Sequence, residues 1–320
     1  MKTLYIDCFS GISGDMTIGA LIDLGADPSV LKAELSKLKL DSEYDLSWKK
    51  VVKNGISSTK FDVHLKELHD HHSHDHEHRH EGHSHDHEHR HEGHSHDHEH
   101  SHEGHSHSHD HEHSHEGHSH SHDHEHSHEG HSHSHDHKHG HEGHSHSHDH
   151  RHYADIVQII QEAGFNENVE KLALTIFEKI GRAEAKIHQI PFESVHFHEV
   201  GAIDSIVDIV GTCILMDQLQ VSKVISSPVP VGSGQMRMAH GIYPVPAPAA
   251  LEILKGIPLR ATDQVGELTT PTGAAIVATL VDAYGTMPSF KVTDIGYGAG
   301  TKTFVHHPNV LRLILGEIEE

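Results

Sequence analysis

Residues 69–152 contain no apolar side chain, so they cannot contribute to a core. This 84-residue tract holds 40 of the chain's 47 histidines. Units beginning Glu-Gly-His-Ser-His recur at 11- and 13-residue intervals. Ordering such a segment costs conformational entropy that no buried apolar surface offsets, and the tract is predicted to be disordered. Its alternating imidazoles, with carboxylates beside them, suit Ni, Zn, Cu or Co and cannot by themselves select among them. The tract therefore reads as a His-rich, metal-binding insertion. What remains to fold is 236 of the 320 residues, enough for one large domain or two small ones. Residues 1–68 are expected to form the first part of the folded domain and residues 153–320 its remainder.

Charge and cysteine usage narrow the class. The formal net charge is −24, of which the tract contributes −15 and the rest of the chain −9. An acidic folded part argues against a nucleic-acid partner, which would favour a basic stripe. No run of 18 apolar residues occurs, so no membrane span is expected. The N-terminus, Met1-Lys2-Thr3-Leu4-Tyr5-Ile6-Asp7, lacks the apolar core of a signal peptide and reads as a strand. Cys8 and Cys213 are too few for a disulfide framework, which points to a reducing cytoplasm.

Outside the tract, one stretch concentrates reactive side chains. It reads Val195-His196-Phe197-His198-Glu199-Val200-Gly201-Ala202-Ile203-Asp204-Ser205-Ile206-Val207-Asp208. His196 and His198 alternate with apolar residues as on a strand, so both imidazoles point to one face. Glu199 follows at once, and Gly201 lets the chain turn. Asp204 and Asp208 are four apart in an apolar-periodic run, on one face of a helix. Two imidazoles and three carboxylates brought together can form a metal site or an acid/base site.

Two further stretches have the form of a loop leading into a helix. Leu4-Tyr5-Ile6 is an apolar strand that runs through Asp7-Cys8-Phe9-Ser10-Gly11-Ile12-Ser13-Gly14-Asp15 into a helical pattern. Such a loop can cradle an anion on backbone N–H groups, or it can be a tight turn capped by Ser13 or Asp15. Its glycines match neither the P-loop nor the dinucleotide fingerprint. Asp7, at the C-terminal end of a strand, is a candidate ligand because α/β sheets collect their ligands there. In Leu268-Thr269-Thr270-Pro271-Thr272-Gly273, Thr270 is predicted to cap a helix over 274–284, with Pro271 in its first turn. Helices are also predicted over 27–40, 154–163, 169–188, 202–219 and 249–254. Asn54-Gly55 is predicted to turn a hairpin, strands are expected at 291–295 and 309–315, and Gly296 to Lys302 is expected to be a mobile loop. Strands and helices alternate, so the class is α/β or α+β: a mixed sheet with flanking helices, interrupted by the disordered insertion.

Five motifs in this order resemble the LarC family: Asp7 to Met16, His196 to Ser205, Pro244-Val245-Pro246-Ala247-Pro248, Leu268 to Gly273, and Gly296-Tyr297-Gly298-Ala299-Gly300. The resemblance covers nearly everything outside the tract. It implies a nickel-inserting cyclometallase, a lyase of the nickel chelatase type. Family members use CTP, with Mg or Mn, to insert Ni²⁺ into pyridinium-3,5-bisthiocarboxylic acid mononucleotide. They form the nickel-pincer nucleotide and release CMP and diphosphate. The product serves lactate racemase, whose apoprotein is then the downstream recipient. Applied to this chain, the resemblance gives His196, His198, Asp208 and Asp7 to the metal, and Glu199 or Asp204 to acid/base work. Ser10, Gly11, Ser13, Gly14, Thr270 and Thr272 are assigned to the substrate phosphate. The resemblance is to the N-terminal part of the family, which implies a C-terminal partner polypeptide for CTP. The alternatives are a nickel store or metallochaperone centred on the tract, and a metal-dependent hydrolase. Deleting residues 69–152 separates enzyme from store: turnover at saturating nickel should survive in an enzyme, whereas equilibrium dialysis should show a store losing nearly all its nickel capacity.

Overall fold

Seven strands form one mixed sheet in the computed structural model, which describes residues 1–66, 151–197, 202–238 and 241–318. They are β1 (Lys2–Asp7), β2 (Tyr44–Lys53), β3 (Ile56–Leu65), β4 (Lys223–Ser226), β5 (Ala283–Tyr284), β6 (Lys291–Ala299) and β7 (Val310–Glu317). Their spatial order is β5-β4-β1-β7-β6-β3-β2. β4 runs parallel to β1 and to β5, and β7 is antiparallel to both β1 and β6. The helices are α1 (Gly14–Asp23), α2 (Pro28–Leu35), α3 (Tyr153–Glu162), α4 (Glu167–His188), α5 (Ile203–Leu219), α6 (Pro248–Ile253) and α7 (Pro271–Leu280). The mixed α/β architecture is thus the expected one. The insertion expected to be disordered lies outside the described residues, apart from its last two members, Arg151 and His152. No described helix is long and apolar enough to cross a membrane.

The two faces of the sheet are unequal. Alternation along β1 sends Leu4 and Ile6 into the main core and Tyr5 to the opposite face. Along β7, Leu311, Leu313 and Leu315 join the main core while Ile314 packs with Tyr5 and Ile225 behind the sheet. The helices supply the rest of the main core, including Ile18, Leu21, Ile176, Phe177, Ile206 and Val210, all fully buried. Each such side chain contributes about 1.5–3 kcal/mol relative to exposure, so the helix-covered face carries most of the stability. Cys213 lies within the apolar body of α5, and burial raises its thiol pKa; both Cys8 and Cys213 are free.

Glycines set how closely α1 lies on the sheet. A Cβ on Gly298 of β6 would stand 1.8 Å from the carbonyl oxygen of Met16, and one on Gly296 would stand 2.3 Å from that of Ala20. From the helix side, a Cβ on Gly19 would meet the Thr59 carbonyl oxygen at 2.4 Å. Backbone therefore rests on backbone along this seam. This corrects the expected mobile loop: Gly296 to Ala299 belong to β6, and their glycines serve close approach rather than flexibility.

Other boundaries follow local chemistry. Asn54 and Gly55 adopt φ of 47° and 85°, the left-handed pair that a two-residue hairpin requires. The predicted helix over 27–40 divides into α2 and a 3₁₀ turn, Ser36–Leu38, ended by Lys39 at φ 59°. The helix predicted to reach residue 284 stops at Leu280 instead. Asp282 N–H donates to the Val224 carbonyl at 2.9 Å, and Ala283–Tyr284 pair with β4, so sheet-edge hydrogen bonds outweigh continued helix. The described residues on either side of 67–150 meet at one residue. The Glu43 carbonyl accepts from Lys66 N–H at 2.8 Å, and its carboxylate takes Arg151 Nη2 at 2.7 and 2.8 Å.

Gly298→Ala should leave little soluble, cooperatively melting protein. Gly285→Ala, where an added Cβ meets nothing within 4 Å, should melt within a few degrees of wild type by circular dichroism.

Candidate functional site

Three helix N-termini and one strand meet around a cavity of about 390 Å³. The loop after β1 and the loop before α7 lie side by side. Ile12 N–H donates to the Leu268 carbonyl at 3.2 Å, and Thr270 N–H donates to that of Ile12 at 3.2 Å. Gly11 and Gly273 permit this contact, since a Cβ on either would stand about 2 Å from a carbonyl oxygen of the other loop. Thr270 caps α7 through its side-chain oxygen, which accepts from Gly273 N–H at 3.1 Å, and Pro271 opens the helix. These loops bring Ser13, Gly14, Thr270 and Thr272 to the cavity wall.

α1 is capped unusually. Ser13 occupies the N-cap position, but its hydroxyl hydrogen-bonds the Asp15 carboxylate rather than a helix N–H. The Asp15 backbone favours the charged form of Asp208 on α5. Gly14 makes room for that carboxylate: a Cβ there would lie 2.5 Å from Asp208 Oδ2. The other oxygen, Asp208 Oδ1, is buried and has no hydrogen-bond partner. Burial, then Asp15, then Asp204 push the Asp208 pKa well above the usual carboxylate range, against the pull of Lys60. Asp204, one turn earlier at the exposed rim, is also raised. Partial loss of hydration is the main cause; the Ser205 N–H at 2.8 Å opposes it, and Asp15 adds to it. Both aspartates line the cavity, as their four-residue spacing on one helix face anticipates.

Lys60 of β3 is the counter-ion. Its Nζ stands 2.7 Å from Asp15 Oδ2 and 2.9 Å from Asp62 Oδ1, and donates to the Phe61 carbonyl at 2.7 Å. Burial works against this charge, but Asp15 and Asp62 outweigh it and raise the Lys60 pKa. Glu267 lines the same cavity. Five carboxylates thus surround one ammonium. Sequence reasoning missed Lys60, Asp62 and Glu267, and saw in Asp15 only a cap; a lysine between Thr59 and Phe61 in an alternating strand was the one available signal.

The remaining expected residues lie elsewhere or outside the described part. His198 and Glu199 fall outside the described residues. His196 is exposed and absent from the cavity wall; its backbone bridges His152, and the two rings stand 3.8 Å apart. Asp7 pairs with Arg312, whose Nε stands 3.0 Å from Asp7 Oδ2. Ser10 Oγ lies 2.8 Å from His307 Nε2. Among the described residues, no three His, Cys, Asp or Glu side chains are grouped so as to hold a metal ion.

Fold and cavity define a mixed α/β protein whose cleft favours positive charge. The profile of the nickel insertion protein family matches residues 4–320, and the chain belongs to that family. It is 45% identical, over 99% of its length, to a Geobacillus kaustophilus protein described as a pyridinium-3,5-bisthiocarboxylic acid mononucleotide nickel insertion protein. Proteins of the same description from Staphylococcus epidermidis and Desulfitobacterium hafniense are each 38% identical, over 99% and 100% of this chain. The chain spans 60% of the length of each of these relatives. No solved structure matches the chain.

Asp208 offers a stability test. Its folded pKa is raised, so it costs nothing below the unfolded value of about 3.9 and destabilises increasingly as pH rises through the folded value. Asp208→Asn should therefore melt above wild type at pH 7.5, with the difference vanishing towards pH 4, as read by scanning calorimetry.

Proposed function

We propose that this chain carries the metal-inserting centre of a CTP-dependent cyclometallase. Ni²⁺ and pyridinium-3,5-bisthiocarboxylic acid mononucleotide are its substrates, and the nickel-pincer nucleotide used by lactate racemase is its product. The CTP site is assigned to a C-terminal part, whether of this protein or of a partner polypeptide; the chain spans 60% of the Geobacillus kaustophilus relative. The observation that carries this reading is the buried, unpartnered Asp208 Oδ1 in an acidic cavity. The pyridinium ring bears two thiocarboxylates, so it carries a net negative charge alone and a net positive charge once Ni²⁺ sits between them; the metal-loaded ring suits that wall.

The chemistry assigns a task to this oxygen. A metal held between thiocarboxylates at ring positions 3 and 5 faces the carbon between them. The C–H electron pair becomes the carbon–nickel bond, the nickel keeps its oxidation state, and the proton leaves to a base. Asp208, poised by its raised pKa, accepts that proton, and Asp204 at the rim passes it to solvent. Lys60 holds Asp15 and Asp62 in place beside it. His196, His198 and Glu199 act on nickel before it enters, with Asp7 outside this set because Arg312 engages it. The dianionic phosphate is disfavoured in the cavity. One unit charge about 5 Å from a carboxylate costs about 3 kcal/mol at an effective dielectric of about 20. Ser13, Gly14, Thr270 and Thr272 therefore frame the ring, and the phosphate belongs elsewhere.

Mixing this chain with nickel, CTP and the pyridinium dithioacid, with and without its C-terminal partner, should yield the pincer complex by mass spectrometry. Asp208→Asn should slow a single turnover by about 10²–10⁴-fold. Wild-type rates in that variant would sink the assignment of the base, and absence of product in every mixture would sink the function.

A further inference from the structure

The loop after β1 has a second, basic side. Phe9 is 39% exposed, and its ring stacks on His307 with centroids 4.5 Å apart and planes 21° from parallel. The Arg260 guanidinium carbon lies 5.9 Å from the same ring centroid. Its Nη2 donates to the carbonyls of Cys8 and Phe9, and among the described residues Nε and Nη1 have no hydrogen-bond partner. Ser10 gives its hydroxyl proton to the Pro308 carbonyl, so His307 Nε2 is the donor in its contact with Ser10. Arg312 adds a second guanidinium, neutralised by Asp7. Arg260 makes no ion pair among the described residues. An unneutralised guanidinium is conspicuous in a chain of net charge −24. It also stands beside the C-terminal end of β1, next to parallel β4, where α/β sheets place ligands.

We propose that Arg260, framed by His307 and Phe9, is an anion subsite for a phosphate monoester: the phosphate of a mononucleotide whose ring occupies the acidic cavity. A pyridinium mononucleotide carries a cation at one end and a dianion at the other. The loop from Asp7 to Asp15 offers an arginine at its start and carboxylates at its end. Ser10 and Ser13, on the two sides, are three residues apart, at most about 10 Å of chain. Planar, delocalised guanidinium suits phosphate oxygens, which accept two parallel N–H groups. The identity of the ligand rests on the nickel-insertion reading; the anion subsite itself does not.

Isothermal titration of the full chain with inorganic phosphate, nicotinamide mononucleotide and nicotinamide riboside tests both levels. The mononucleotide should bind more tightly than phosphate, and at least tenfold more tightly than the riboside. Arg260→Gln keeps a donor for the two carbonyls while removing the charge. It should weaken phosphate and mononucleotide at least tenfold and leave the riboside unchanged. Arg260→Lys keeps the charge and loses the fork, so it should bind phosphate more weakly than wild type and more tightly than Arg260→Gln, which distinguishes loss of charge from loss of structure. Unaltered phosphate binding in Arg260→Gln, or no binding of either anion to wild type, overturns the subsite. If binding depends on Arg260 but the mononucleotide gains nothing over phosphate, the anion subsite stands and its assignment to a mononucleotide falls.

Discussion

Helix α1 lies backbone against backbone on β6 and β3, because Gly19, Gly296 and Gly298 have no Cβ to hold it off. That contact fixes the height of the helix above the sheet, and so the position of its first turn. The first turn then carries Asp15 to Lys60 of β3 and sets Gly14 against the Asp208 carboxylate of α5. A side chain at any of the three glycines would lift α1 and separate these groups together. The cavity is thus a consequence of close packing some distance away, not of its own contacts.

The cavity's charges oppose its stability. Five carboxylates share one ammonium, and one carboxylate oxygen is buried without a partner. Polar groups left so are rare, since stranding one costs on the order of 1–3 kcal/mol. Lys60 offsets part of this by holding Asp15 and Asp62, yet Asp208 stays outside its hydrogen bonds. A fold selected for stability alone would place an amide or an apolar side chain at this position. Acidic side chains gathered in one cleft, with a buried carboxylate oxygen left unpaired among them, are the pattern of a site kept for binding or chemistry.

Features governed by neighbours in sequence were legible. Thr270 and Pro271 start α7 as their types require, Asn54-Gly55 turns the hairpin, and Asp204 and Asp208 share the face that their spacing assigns. Features governed by distant partners were not. Lys60 and Asp62 meet α5 across the whole histidine tract, and nothing in their local sequence marks a cavity. Gly296 and Gly298 suggested a loop because glycine serves flexibility and close approach alike, and only the partner helix tells them apart. The two-residue strand Ala283–Tyr284 is too short for any periodicity, and its existence depends on the free edge of β4.

Glu43 holds the described residues on either side of 67–150, through its carbonyl to Lys66 and its carboxylate to Arg151. The chain therefore departs and returns at a single point on the surface. Joining two such ends costs entropy only as the logarithm of the number of residues between them, about 0.6 kcal/mol for each doubling. Gain or loss of an 11- or 13-residue repeat changes an 84-residue tract by a small fraction. The contacts of Glu43 with Lys66 and Arg151 therefore set no length for the chain joined between them.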